Sequence, residues 1–457
     1  MPLKPSKDVV LKKGRLIEEE NVDYQIRELY GRWVLDSRGY PTVACVASTK
    51  TATATALVPT GTSTGSYEAV DLRDGGKAFE GKHVLKAISN VNNKIFPVLK
   101  GMDCRKQEEI DKKIISLDKT TNKSNIGGNA TLAASTACLK LCAKTQGLAL
   151  YELLSQNKNV KKIKNKQTKP RSKAYQLPIP FANIINGGKH APVGAPSFQE
   201  YMLVPLKFRV FSDAVTAVAE TYHELKKIIA SKYGPQYSAV GDEGGFIPPC
   251  KSVEEPLHLL SLATRRAGYE KEMCFAIDAA AGSFFKNAKY VLNKKRFSAE
   301  KLTDVYALLA KDFPLISIED PFEENDFYSF AELTRSLGSS VQIVGDDLLA
   351  TNPKRIAVAA SKRACNCALI KPNQIGTITE TLRAIEVARA GGFSTMFSHR
   401  SGDTEDSFVA DFAVGVCCPQ IKVGAPCRGE RTAKYNRLFE IKCEQGSNAS
   451  YAGGLCD

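Results

Sequence analysis

The chain has 457 residues, 43% of them hydrophobic and 25% charged, and a formal net charge of +14. That composition supplies a sizeable core and excludes wholesale disorder and a small disulfide scaffold, while the length asks for two domains or one large barrel with an addition. No run of about 18 apolar residues occurs, and the basic start MPLKPSKDVVLKKGR has no apolar stretch behind it, so neither a membrane span nor a secretory signal is expected.

Residues 22 to 60 read as short strands (YGRWVLDSRG, PTVACVA, TATATALVP). Residues 81 to 97 and 129 to 154 then repeat apolar positions at helical spacing, with Leu132, Leu139, Cys142 and Ala143 as examples. Strands followed by helices predict an α+β capping domain over residues 1–156. From Asn157 to Tyr175 the run NKNVKKIKNKQTKPRSKAY holds eight Lys or Arg and no acid. This stretch, 157–175, reads as a basic insertion or linker and a solvated surface loop, with contact to a polyanion as the sharper alternative. No aromatic RNA-binding motif or zinc knuckle accompanies it, so no specific nucleic-acid partner is expected.

Beyond the run the rhythm becomes strand then helix. PIPFANIIN and FQEYMLVPL read as successive strands. A helix is predicted over 213 to 232, with Val215, Val218, Tyr222, Leu225 and Ile229 on one face, Ser212 or Asp213 as its cap and Gly234 as its end. A second helix follows over about 253 to 267. The apolar runs CFAID, LISIED, VQIVGDD, CALIK, STMFSHR and PQIKVG then arrive in succession, with Asp278, Glu319, Asp346, Lys371, His399 and Lys422 at their ends. These six positions lie 23 to 41 residues apart, the length of a strand, a helix and two loops. One connecting helix carries a capping box from Thr377 to Glu380. The fold class predicted is therefore α/β, a C-terminal β/α barrel over 176–457 with the α+β capping domain before it. In such a barrel the strand ends converge on one face, so the six ionisable groups are expected to share a pocket.

Thirteen cysteines form no C-x-x-C pair, which points to reduced thiols and a cytoplasmic protein. Asp278, Glu319 and Asp346 supply oxygen-only ligands, the set preferred by a hard divalent ion, Mg²⁺ before Mn²⁺. Three bare carboxylates would repel one another, so a cation is expected among them. Lys371 beside that cation is expected to have a lowered pKa and to become a base. A metal with a Lys base suits proton abstraction next to a carboxylate. His399, Arg400, Ser401 and Lys422 are groups that bind phosphate or carboxylate, so the substrate is expected to be a small, multiply charged anion. Elimination also needs an acid: VGDEGGF sets Asp242 and Glu243 against two glycines, and Glu200 is a second candidate.

From about Arg27 to Glu440 the chain resembles the enolase family, the phosphopyruvate hydratases. The resemblance rests on VLDSRG, STGSYEAVDLRDG, NGGKHA, VGDEGGF, SIEDPF, IVGDDL, CNCALIKPNQIGT, SHRSGDTED and QIKVGAPCRGERTAKYN, which occur in order. It implies a homodimer with two Mg²⁺ per active site, converting 2-phosphoglycerate to phosphoenolpyruvate and water. The pairing of a Lys or His base with Mg²⁺ is the superfamily's known pattern and is taken over from it. Position by position, the resemblance implies Lys371 as the base at C2 and Glu243 as the acid that expels the C3 hydroxide. It gives Asp278, Glu319 and Asp346 to the tighter Mg²⁺ and Ser63 to the second. It places His190 and Glu200 near the leaving group, and makes Ser398, His399, Arg400, Ser401 and Lys422 substrate-binding, together with Glu319, Asp346 and Lys371.

Departures from the family pattern accompany the matches. The segment between His190 and Glu200 is one residue longer than usual, which is expected to displace Glu200 or bulge the loop. Pro372 directly follows Lys371 and is expected to be able to shift it. Tyr40, Thr60, Thr62 and Ser283 replace the usual residues, and the 157–175 run is an insertion. A second reading stays open on these grounds: an enolase-like binding or structural protein with impaired catalysis.

Overall fold

A computed structural model describes residues 23–61, 65–157, 175–191 and 196–454. Ser63, Thr62 and nearly all of the basic run lie outside these described residues. The N-terminal part opens on an antiparallel meander of β1 (Glu28–Leu35), β2 (Pro41–Ser48) and β3 (Thr53–Leu57). The helix Gly128–Thr145 packs across β2 and β3 and is buried along nearly its whole length. Its inward positions are small, among them Ala130, Ala133, Ala134 and Ala137, so its axis lies close to the sheet.

Short β4 (Tyr175–Leu177) pairs in parallel with the last strand, β16 (Ala449–Tyr451), and leads into the barrel. The barrel strands are β5 (Ile179–Asn186), β6 (Glu200–Val204), β7 (Cys274–Asp278), β11 (Leu315–Glu319), β12 (Gln342–Gly345), β13 (Cys367–Ile370), β14 (Ser394–Ser398) and β15 (Gln420–Lys422). They close in the order β11-β12-β13-β14-β15-β5-β6-β7. Strands such as β5, β6 and β7 are buried at every residue, because the barrel interior and the outer helices cover both faces. β6 runs antiparallel to both of its neighbours, and all other barrel pairs are parallel. A small antiparallel sheet of β8 (Phe285–Lys286), β9 (Lys289–Leu292) and β10 (Lys295–Phe297) fills the longest of the strand-end intervals, between Asp278 and Glu319.

The helix expected at 213 to 232 spans Phe211–Tyr233 and the next spans Glu255–Ala267. The first has Val210 at its N-cap position, so neither Ser212 nor Asp213 caps it; Gly234, at φ 105°, ends it as expected. Thr377 does cap Ile378–Ala390, its hydroxyl accepting from Glu380 N at 3.3 Å.

Buried polar contacts join the capping domain to the barrel. Asp111, with no exposed surface, accepts from Thr379 N at 2.8 Å and from the Thr379 hydroxyl at 2.6 Å, at the start of that helix. Thr60 and Gly402 exchange two backbone hydrogen bonds, of 2.7 and 2.9 Å. Lys140 reaches Asp406 at 2.6 Å, and Asp406 in turn accepts from Leu57 N. The cysteines among the described residues are free thiols.

Candidate active site

Converging strand ends build a cavity of about 280 Å³ at one mouth of the barrel. Asp278, Glu319 and Lys422 are the last residues of β7, β11 and β15. Asp346, Lys371 and His399 each follow the last residue of their strands. Asp278, Asp346, Lys371, His399 and Lys422 line the cavity, and Glu319 lies just behind its wall, against Lys422. Glu200 joins them from the opposite end of its strand: it is the first residue of β6, and the antiparallel register sets it opposite Asp278. That register with β7 holds Glu200 at the site, and residues 192–195 of the segment before it lie outside the described residues.

Two ammonium groups organise the acids. Lys422 Nζ lies 2.8 Å from Glu319 Oε2, 3.0 Å from Glu200 Oε2 and 3.1 Å from Asp278 Oδ2. Burial opposes its charge, but these carboxylates, Asp278 foremost, hold its pKa well above the ordinary lysine range. Lys371 Nζ donates to Asp346 Oδ2, whose other oxygen accepts from Gln374 Nε2 at 2.9 Å. The expected lowering of the Lys371 pKa depends on a neighbouring cation; the protein's own groups shift it the other way. Burial is the strongest single influence and pushes it down, yet the Asp346 and Glu319 carboxylates together carry the net shift upward. Burial and the nearby Asp278 push Glu319 up to about 8, and burial with Glu243 raises Glu200 well above the carboxylate range.

Glu243 is 2% exposed and sits on the loop whose backbone closes through Gly241 N to Gly245 O at 2.8 Å. Its Oε2 accepts from Asn183 Nδ2 at 2.9 Å and lies 3.4 Å from His399 Nε2. Arg431 Nη1 is 2.5 Å from His399 Nδ1. A guanidinium can only donate, so Nδ1 is the acceptor and Nε2 carries the proton that faces Glu243. Burial, against the pull of Glu243, lowers the His399 pKa to about 4. Gly424, at φ 79°, makes this packing feasible, since a Cβ there would stand 2.7 Å from the Glu243 carbonyl oxygen and 3.0 Å from Arg431 Cδ.

Arg400 reaches out of the barrel to the capping domain, where Nη1 donates to Glu68 Oε2 at 2.9 Å, and within the barrel the same Nη1 donates to Asn373 Oδ1 at 2.9 Å. Ser398 and Ser401 are buried beside it on the cavity wall. His190 ends a short turn, Gly188–His190, and its side chain lies outside the described residues, as does Ser63. Pro372 stands directly after Lys371, which keeps its contact with Asp346. The proline occupies the first position of the helix Pro372–Ile375, where its missing N–H has no partner to lose. Tyr40 donates to Glu80 at 2.7 Å, the Thr60 hydroxyl accepts from Arg73 at 3.0 Å, and Ser283 lines the cavity.

The donor set fits a hard divalent cation. Asp278, Glu319 and Asp346 offer only oxygen, and among the described residues the buried Glu319 Oε1 has no hydrogen-bond partner. A tighter acidic group, Asp320, Asp346 and Asp347, brings one oxygen from each residue within 4.8 Å of the others. Asp320 is a brace there, accepting from the backbone N–H of Asp346 at 2.9 Å and of Asp347 at 2.8 Å. Sequence reasoning missed Asp320, Asp347, Glu68, Gln374 and Arg431. They lie within or beside the quoted motifs, but each acts through a partner remote in sequence, and spacing carries no sign of that.

A family model described as the enolase N-terminal domain matches residues 26–154, and one described as the enolase C-terminal TIM barrel domain matches residues 174–456. The chain is 45% identical over 434 residues to an enolase of Thermococcus gammatolerans, covering 94% of this chain and 97% of the relative. Enolases of Methanocaldococcus jannaschii and Pyrococcus furiosus are each 45% identical with the same coverage. Two family models laid end to end over a barrel with one reversed strand, and relatives matched over nearly their whole length, lead to one assignment: the chain belongs to the enolase family.

Proposed function

We propose that the protein is a phosphopyruvate hydratase, a lyase that dehydrates 2-phosphoglycerate to phosphoenolpyruvate in glycolysis and runs the reverse hydration in gluconeogenesis. The observation that carries this reading is one cavity shared by a lysine on a carboxylate, Lys371 with Asp346, and a glutamate facing a neutral imidazole, Glu243 with His399. Lys371 Nζ takes the proton from C2. Glu243 gives a proton to the C3 hydroxyl as the C–O bond breaks, so the leaving group departs as water and the C2–C3 double bond forms. Glu200, whose pKa burial and Glu243 raise, and His190 complete the leaving-group side. Ser398, His399, Arg400, Ser401 and Lys422 anchor the phosphate and carboxylate and exclude water from them.

Asp278, Glu319 and Asp346 are the proposed ligands of one Mg²⁺, which the oxygen-only donor set and a Glu319 Oε1 without a partner among the described residues support; Ser63 is the proposed ligand of a second. Bound Mg²⁺ supplies positive charge that offsets the field of Asp346 on Lys371 and stabilises the negative charge gathering on the substrate carboxylate. A homodimer working in the cytoplasm follows from family membership, and the free thiols agree with a reducing compartment. The decisive assay follows phosphoenolpyruvate absorbance with purified protein, 2-phosphoglycerate and Mg²⁺. Turnover is expected for the parent chain, with a loss of at least about 10³-fold in Lys371→Ala. Absence of turnover in the parent with Mg²⁺ still bound would transfer the protein to the binding or structural reading.

A further inference from the structure

The turn that carries Glu68 is held from outside the cavity as well as from inside. On the cavity side Glu68 accepts from Arg400 at 2.9 Å, and Gly65 lies so close that a Cβ would stand 3.1 Å from Asp347 Oδ1 and 3.4 Å from Glu324 Oε2. On the outer side the Arg355 guanidinium stacks 3.7 Å above the centre of the Tyr67 ring. The same guanidinium donates to the carbonyls of Leu348 at 2.7 Å and Glu324 at 2.6 Å, so the barrel rim fixes its plane. Tyr67 then donates to Asn325 Oδ1 at 2.8 Å, and Ser66 N donates to Glu324 Oε2 at 3.3 Å. Tyr67 is 43% exposed, so burial is not what holds it; the directional contacts are.

We infer that Arg355 and Tyr67 form a latch: a positioning pair that seats the Gly65–Glu68 turn on the barrel rim and so sets the pose of Arg400 through Glu68. Neither side chain lines the cavity. Their effect on the reaction passes through the Glu68–Arg400 pair, and the inference rests on the reading of Arg400 as a substrate anchor. A latch of this kind acts on ground-state binding. It is therefore expected to appear in KM, with kcat for substrate already seated left nearly intact.

The experiment measures KM and kcat for 2-phosphoglycerate, with thermal midpoints, for the parent chain and for Arg355→Ala, Tyr67→Leu, their double variant, Tyr67→Phe and Arg400→Ala. Each single latch variant is expected to raise KM about ten-fold with kcat within about two-fold. The double variant is expected to be no worse than either single one, because both remove the same contact. Tyr67→Phe, which keeps the ring under the guanidinium, is expected to restore KM to within about three-fold of the parent. Tyr67→Leu leaves the Arg355 bonds to the rim in place, so it reads the latch even if Arg355→Ala lowers the midpoint. An unchanged KM in Tyr67→Leu, or additive effects in the double variant, overturns the latch. If Arg400→Ala itself leaves KM unchanged, the anchor reading has failed instead, and the two failures are distinguishable.

Discussion

His399 uses its two ring nitrogens in opposite senses, accepting from Arg431 at Nδ1 and facing Glu243 through Nε2. Its neutrality in the folded protein has a consequence for stability. The ordinary pKa is 6.5 and the folded value is about 4, so below the first the unfolded chain takes up a proton that the folded chain refuses. The contribution is complete above about pH 6.5 and is lost as the pH falls to about 4, a span worth roughly 3 kcal/mol. Urea unfolding at pH 7 and at pH 4.5 is expected to show this loss in the parent, with a shallower pH slope in His399→Gln; equal slopes would place the titration elsewhere. Arg431 itself has no exposed surface and also donates to the carbonyls of Arg400 at 2.6 Å and Asp242 at 3.0 Å, tying three site segments together. Those acceptors are backbone atoms, and so the importance of Arg431 cannot be read from residue types.

The elements were legible where local rules decide them. Each barrel strand except the reversed β6 is a short, largely apolar run with a polar residue at or just past its end, because the strand is buried on both faces and its end meets the cavity. The cap at Thr377 and the stop at Gly234 follow from chemistry within a few residues. The start at Phe211 was missed because a nearby Ser-Asp pair looks like a cap, whereas the chain enters through extended Val210. The contact between Lys371 and Asp346 was not legible for a different reason: which carboxylate touches a lysine is a tertiary fact. Asp111 shows how one residue can hold an element in place. It accepts from Thr379 at the helix start, from Ser135 at 2.5 Å and from Gln107 at 3.0 Å. Asp111→Ala is expected to cost about 2–3 kcal/mol by leaving those donors unsatisfied, a fall in thermal midpoint on the order of 5 °C. Asp111→Asn, which keeps one acceptor, is expected to lose about half as much. An unchanged midpoint in Asp111→Ala would mean that water replaces the carboxylate freely.

For the whole molecule, the excess charge is the feature that the fold leaves unexplained. Eight of the basic residues lie between Asn157 and Tyr175, flanked by the helix ending at Gln156 and by β4, which is paired with β16. A variant lacking residues 157 to 173 is expected to keep full turnover and to elute from a heparin column at lower salt than the parent. Collapse of turnover in that variant would assign the segment a structural part. The reversal of β6 bears on variation as well. In a barrel whose strands all point one way, only the connection after a strand can reshape the mouth. Here Gln199, which enters β6, lies on that mouth, and the stretch leaving β6 lies on the far side. Insertions upstream of Glu200 can therefore alter which substrates are admitted, whereas changes between Pro205 and Val210 are free to drift without touching the chemistry.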